Sequence, residues 1–351
     1  MGLPNIEIQF KEKAASAMTR GQRGIVALIL KDSTHNGILN MDSVTDIPND
    51  LSAYNKEQIN LAFMGSPYKV VAYIEPAASA DYSAALRVLE TTKFNYLTIP
   101  GIVEADTTTA ANWIKSLRDS KDIKVKAVLP NIAADHEGII NFVTDDIIVD
   151  THTYSAADYC SRIAGILAGL SLSTSSTYHV LSEVEDVPRL TKSEFDTAID
   201  TGKLLLINDG EKVKIARGVN SFISITADKG EDFKKIKIVE TMDMINDDIK
   251  HTVEDNYTGK VPNTYDNKVI LINAINAYYE GLEAEQILDK GKNSVSIDTE
   301  AQKRYLSSNG TDTNKMTIQQ IKEANTHDKV FLTSSIKIVD AMEDIALNIG
   351  L

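Results

Sequence analysis

Phe94-Asn95-Tyr96-Leu97-Thr98-Ile99, a helix start at Asp106 or Thr107, then Lys124-Val125-Lys126-Ala127-Val128-Leu129 stopped by Pro130-Asn131: this stretch decides the fold class. The two apolar runs read as buried strands, and between them Trp113, Ile114 and Leu117 lie at helical spacing. The rhythm continues downstream. Asp146–Val149 reads as a strand, and Ser155 with Asp158 opens a helix in the manner of a capping box. That helix buries Ile163, Ile166, Leu167 and Leu170, with Gly165 and Gly169 spaced for close packing. Thr191-Lys192-Ser193-Glu194 repeats the capping pattern, Gly202 closes the helix, and Lys203–Ile207 is a strand that turns at Asp209-Gly210 into Val213–Ala216. Strand and helix in alternation imply βαβ units and a largely parallel sheet covered on both faces. We assign this α/β domain to residues 91–226.

Working outward, Ile25-Val26-Ala27-Leu28-Ile29-Leu30 is a continuous apolar run, the mark of a buried strand. Residues 32–90 are rich in turn signals, with short strands such as Tyr68–Ile74 between them, and read as a small, mainly β domain. From Asp232 the pattern is helical: Phe233, Ile236, Met242, Ile245, Ile249 and Val253 form one stripe. Further helices fit Asn267–Leu288, Thr299–Leu306 and Thr317–Ala324, before strands return at Val330–Leu332 and Ile336–Val339. The expected segments are 1–31, 32–90, 91–226, 227–329 and 330–351, an α/β and α+β multidomain chain.

Both ends are written as strands. Ile6, Ile8 and Phe10 alternate with polar residues near the start, and Ile345, Leu347 and Ile349 do so near the finish. An end fixed as a strand needs a sheet edge, in its own fold or in a neighbour's. Residues 1–31 hold five cations against two acids, and residues 330–351 hold Lys337 against Asp340, Glu343 and Asp344. A basic head and an acidic tail suggest a protein that links copies of itself.

Composition narrows the rest. With 43% hydrophobic and 25% charged residues the 351-residue chain is ordinary for a globular protein. A net charge of −14 argues against nucleic acid as a partner. No signal-peptide pattern is present, and the longest apolar stretch, Ile163 to Leu172, is about half a bilayer span, so no membrane insertion is expected. The single cysteine, Cys160, lies on the apolar side of a helix and reads as core.

Catalytic signatures are missing. There is no G-x-S-x-G elbow, no H-E-x-x-H and no G-x-G-x-x-G after a strand, and Glu254 stands where a phosphate loop would need glycine. Six scattered histidines show no ligand spacing, so no cofactor and no metal are expected. Asp145, Asp146 and Asp150 flank a strand end, where ligands of α/β folds sit, but read more simply as a turn. His136, His152, Asp145 and Asp150 are therefore expected to be replaceable at surface cost. Asp243, Asp247, Asp248, Glu254 and Asp255 crowd one helix and read as a solvated or interface face.

Three stretches carry a resemblance. Gly2-Leu3-Pro4-Asn5-Ile6-Glu7-Ile8-Gln9-Phe10-Lys11, followed by Arg23-Gly24-Ile25-Val26-Ala27-Leu28-Ile29, resembles the start of contractile phage tail sheath proteins. So do Ile236–Ile245 with Tyr257-Thr258-Gly259-Lys260-Val261-Pro262-Asn263, and the ending Ile336–Ile345. The nearest type is the short sheath of Gram-positive myophages, defective prophages and contractile bacteriocins. The resemblance implies a β-sandwich at 32–90, a subtilisin-like central α/β domain without hydrolase activity, and a C-terminal domain facing the tail tube. It also implies terminal arms that insert strands into neighbouring subunits.

The expected function is a non-enzymatic subunit that polymerises helically, in hexameric rings, around a tail tube and contracts. Its partners would be itself, the tube protein, and baseplate and tail terminator proteins, in a virion tail or tail-like particle assembled in the host cytoplasm. Within residues 289–329 cations outnumber acids by one in this acidic chain, making Lys303, Arg304 and Lys315 candidate tube contacts. The rival readings are an unrecognised α/β hydrolase and a ligand-binding protein using the crevice near Asp145 and Asp150.

Overall fold

The computed structural model describes Met18 and residues 20–350. It divides the chain into two compact units. One comprises Gly21–Asp247 together with residues from Asp340 onward, and the other is centred on Asp248–Val339.

The first unit is built on one sheet. In chain order its elements are β1 (Ile25–Asp32), β2 (Gly37–Met41), α1 (Ala53–Phe63), β3 (Lys69–Pro76), α2 (Ser83–Leu89), β4 (Tyr96–Thr98), α3 (Glu104–Ser120), β5 (Lys126–Pro130) and β6 (Ile139–Phe142). There follow β7 (Ile147–Val149), β8 (His152–Tyr154), α4 (Ala156–Gly169), α5 (Lys192–Asp200), β9 (Lys203–Leu204), β10 (Leu206–Asn208) and β11 (Val213–Ile215). Seven strands pair in the order β2-β3-β1-β4-β5-β6-β9, all parallel except the β2–β3 contact. β7 with β8 and β10 with β11 form small antiparallel ribbons.

β1 shows why the run at 25–30 has no alternation. Val26, Leu28 and Leu30 enter one core with α1 and α4 residues, while Ile25, Ala27 and Ile29 enter another with α2 and α3 residues. A strand buried on both faces is apolar throughout. α4 lies against α1 at backbone contact, because a Cβ on Gly165 would stand 2.1 Å from the Ala62 carbonyl oxygen and one on Gly169 1.9 Å from that of Gly65. The glycine spacing in α4 thus serves helix packing.

The separate β-sandwich expected over 32–90 is not formed. That segment contributes β2, α1, β3 and α2 to the same seven-stranded sheet. α1 escaped a periodicity reading because its buried face is partly polar: Asn55 donates to the Lys31 carbonyl (2.9 Å) and to Asp32 (2.8 Å), and Gln58 accepts from Ser161 (2.7 Å). α3 begins at Glu104, earlier than the Asp106 or Thr107 cap expected.

α6 (Ile236–Asn256) contains the boundary between the units, and its first half belongs to the sheet unit. The second unit holds α7 (Tyr265–Ala284), β12 (Ser294–Ile297), α8 (Thr299–Ser308), α9 (Ile318–Glu323) and β13 (Leu332–Ser335). β12 and β13 pair antiparallel, from Ser294 opposite Ser335 to Ile297 opposite Leu332. Residues 336–350 form no strand; only Ile338 makes an isolated bridge, to Leu288.

Candidate functional site

The strand ends of the sheet are where an α/β protein would hold a ligand. The strand order reverses between β1 and β4, and there Asp32 accepts from Thr34 N (2.9 Å), Thr34 Oγ1 (2.7 Å), Ser52 N (3.0 Å) and Asn55. Those donors hold its carboxyl far below the ordinary range and commit it to tying loops together. A hollow of about 600 Å³ beyond β5, β6 and β9 contains Asp145, but Asp145 accepts from the N-terminal Ala156 amide of α4 (2.8 Å). Two of its other polar walls are similarly engaged, Asn141 by Ile132 N (2.8 Å) and Thr144 by Leu206 N (2.9 Å). Asp146 and Asp150 take left-handed turn conformations beside β7. Cys160 is fully buried, and burial pushes its thiol far up.

His136 is a correction to the surface reading. It is buried, its Nδ1 accepts from Gly138 N (3.0 Å), and its Nε2 lies 3.2 Å from Asp119. With Glu137 these groups converge, but Lys229 (2.9 Å) and Arg118 (3.7 Å) already neutralise Glu137, so the cluster is an ion network rather than a cation cage.

The acids of α6 divide in a way the sequence conceals. Asp243 is buried and takes both Arg118 nitrogens, NH1 at 2.8 Å and NH2 at 2.9 Å. Lys126, in mid-sheet on β5, reaches Asp243 (2.7 Å) and Glu240 (2.9 Å), while Tyr96 donates to Glu240 (2.7 Å) and Arg23 approaches it at 3.3 Å. Burial opposes each charge; nevertheless the partners prevail, holding Lys126 above and Asp243 and Glu240 below their ordinary values. Asp248, also buried, accepts from Tyr278 (2.7 Å). The expected solvated face therefore fails at Asp243 and Asp248, whose partners lie more than a hundred residues away or on another helix.

The C-terminal segment provides the surface feature. Its root is clasped onto the sheet unit: Lys235 pairs with Asp340, and Glu343 accepts from Ser175 and Thr177, both at 2.7 Å. Arg217 bridges Glu343 (3.2 Å) and Asp344 (2.7 Å). The guanidinium holds Asp344 below its usual range; burial raises Asp340, but the Lys235 ammonium outweighs it. Directly beyond the clasp, Ile345, Leu347 and Ile349 are 81%, 77% and 75% exposed. The expected strand is absent here, since an extended segment becomes a strand only with a hydrogen-bonded neighbour. Ile6, Ile8 and Phe10 lie outside the described residues.

In the second unit Arg304 on α8 and Lys315 are exposed, Lys303 is half-buried, and Lys315 pairs with Asp312 at 3.0 Å. Gln302 anchors α8 by donating to the Ile321 carbonyl of α9, and Ile318 on α9 is 67% exposed.

A mainly parallel α/β core, small antiparallel ribbons and an exposed aliphatic tail on a charged root describe an assembly subunit. Comparison with known proteins agrees. Residues 75–221 match the phage tail sheath protein central domain, and residues 228–351 match the phage tail sheath C-terminal domain. The tail sheath protein of Clostridium phage phiCD119 is 41% identical over 358 residues, covering 99% of each chain. The phage-like element PBSX protein XkdK of Bacillus subtilis is 33% identical over 179 residues, 49% of this chain and 38% of that protein. The sheath tail protein from Desulfitobacterium hafniense shares the fold at TM-score 0.71 and 20% identity, over 84% of this chain and 94% of that one. The contracted helical sheath of the anti-feeding prophage does so at TM-score 0.74 and 15% identity, over 100% and 99%. The chain belongs to the phage tail sheath family.

Proposed function

We propose that this sheath protein polymerises with copies of itself into a helical, ring-stacked tube around a tail tube, and contracts. The observation that carries the reading is the row Ile345, Leu347 and Ile349, exposed on an anchored root. Aliphatic side chains at period two with unpaired main chain suit β-augmentation of a second copy's sheet edge. The two-stranded β12–β13 sheet offers edges of the required kind. Heterologous contacts of this type close into rings or propagate as open helices, depending on the rotation between copies. Ile6, Ile8 and Phe10 supply the second arm.

Lys303, Arg304 and Lys315 are the proposed contacts to the tube, with baseplate and terminator proteins capping the ends. The related anti-feeding prophage structures include both a contracted sheath and a baseplate, which supports the baseplate as a partner. The subunit acts without catalysis: the strand-end side chains that a hydrolase would use are engaged by backbone donors. Its place is a virion tail or tail-like particle, assembled in the host cytoplasm. No helix among the described residues is long and apolar enough to cross a membrane.

Electron microscopy of the purified chain tests the reading. Intact protein should form tubes, and chains lacking residues 1–12 or 345–351 should fold but remain dispersed. A stable monomer that turns over an ester or peptide would overturn it.

A further inference from the structure

The second unit contains a cavity of about 460 Å³ between the end of α6, the start of α7 and the 326–330 loop. Its walls include Val253, Val261, Leu271 and Val330. Lys268, only 4% exposed, also lines it. Its Nζ donates to Thr326 Oγ1 at 3.0 Å, and it has no ion pair with a carboxylate among the described residues. The rim acid, Asp328, is turned to Lys329 at 3.0 Å. Beside Lys268, Asn263 spends its amide nitrogen on the His327 and Lys329 carbonyls (2.9 and 2.8 Å), leaving a buried Oδ1 without a donor.

Three costs coincide on one lysine. Burial depresses its ammonium. No acid among the described residues compensates the charge, and a buried unpaired charge is strongly unfavourable. Lys268 also occupies the first turn of α7, a 20-residue helix whose positive end repels cations. A guest carboxylate relieves all three at once, and a guest N–H satisfies Asn263.

We propose that this cavity seats an acidic side chain of a second copy of the chain. The aliphatic walls take its methylenes, Lys268 its carboxylate, and Asn263 Oδ1 a main-chain N–H of the inserted segment. A second copy is favoured by charge complementarity, because the chain carries 50 acids against 36 bases. The inference rests on the self-assembly reading above and adds the receptor.

Reductive methylation of lysines with formaldehyde and borohydride, read by mass spectrometry, tests it on the full chain. Lys268 should be modified in dispersed subunits, through the cavity, and protected about tenfold or more in tubes, while exposed Lys192 reacts alike in both. Lys268→Met, which keeps the stem and removes the charge, should fold normally yet raise the critical concentration for polymerisation about tenfold, the fold-change of one charge-assisted hydrogen bond. Tubes in which Lys268 reacts as in the free subunit overturn this inference alone. Protection that requires added tube protein overturns the second copy as occupant. Failure of the intact chain to polymerise overturns the assembly reading, and this inference with it.

Discussion

Arg118–Asp243 and Arg217–Asp344 are the same chemical pair at 2.8 and 2.7 Å, set in opposite surroundings. The first pair is 5% and 8% exposed, and the second 36% and 81%. Around the first, Arg23, Lys126 and Lys229 join Arg118 as cations, and Glu240 and Glu137 join Asp243 as carboxylates, so every carboxylate of the buried cluster has a cation beside it. Around the second, Arg217 and Asp344 are open to water and salt, while Glu343 beside them is 16% exposed. A dry pair holds α6 to the sheet in one register, and a wet pair holds the tail root while permitting exchange. For a sheath protein, the dry pair suits a part that stays rigid and the wet pair suits a linkage that engages other copies.

The largest effect expected is at the dry pair. Asp243→Ala leaves Arg118 and Lys126 short of a buried partner and should destabilise the sheet unit by about 3–5 kcal/mol. Urea unfolding followed by Trp113, stacked on Phe94 in that unit, reads it directly. A loss below about 1 kcal/mol, the value of an exposed pair, would erase the contrast drawn here. Gly165→Val comes next: it forces α4 off α1 and should cost at least the ~1–3 kcal/mol of overpacking, in the same assay.

The wet clasp should respond differently. Arg217→Ala is expected to change folding stability by less than about 1 kcal/mol, yet to free the segment beyond Asp340. Hydrogen exchange at residues 340–344 should rise with salt as screening shortens towards about 3 Å at 1 M, with Lys126 unaffected. The acids set the pH direction. Asp340 and Asp344 titrate below their unfolded values when folded, so the clasp is fully present above the ordinary carboxylate pKa near 4. It is lost as pH falls through their lowered folded values. A clasp indifferent to both salt and acid would place it with the dry pair. Smallest of all for folding is Lys303→Glu with Arg304→Glu, within about 0.5 kcal/mol. It should weaken co-sedimentation with tube while self-polymerisation persists; unchanged co-sedimentation across a salt series would remove these residues from the contact.

The elements that were legible share a property: their signal is local. The alternation of Phe94–Ile99, helix and Lys124–Leu129 predicts parallel α/β architecture, and β4, α3 and β5 form it. The Thr191–Glu194 capping box forms as written, and Cys160 is core. The family itself was legible from stretches spread along the chain. What failed depended on partners distant in sequence. α1 looked irregular because Asn55 and Gln58 bury polar groups that only β1 and α4 satisfy. Asp243 looked solvated because its neighbours on α6 include other acids, and nothing in the helix announces Arg118.

By itself, then, the sequence determined the sheet-and-helix rhythm, the two-faced burial of β1 and the aliphatic period at Ile345, Leu347 and Ile349. Each follows from spacing of side chains along one backbone, which geometry converts directly into a face. Tertiary structure alone decided that residues 32–90 join the seven-stranded sheet, that Lys126 and Asp243 meet in a dry interior, and that Lys268 is buried with no acid paired to it among the described residues. Those outcomes depend on which distant groups share a volume excluded from water, where the same charge is stabilised or penalised by what stands within a few ångströms.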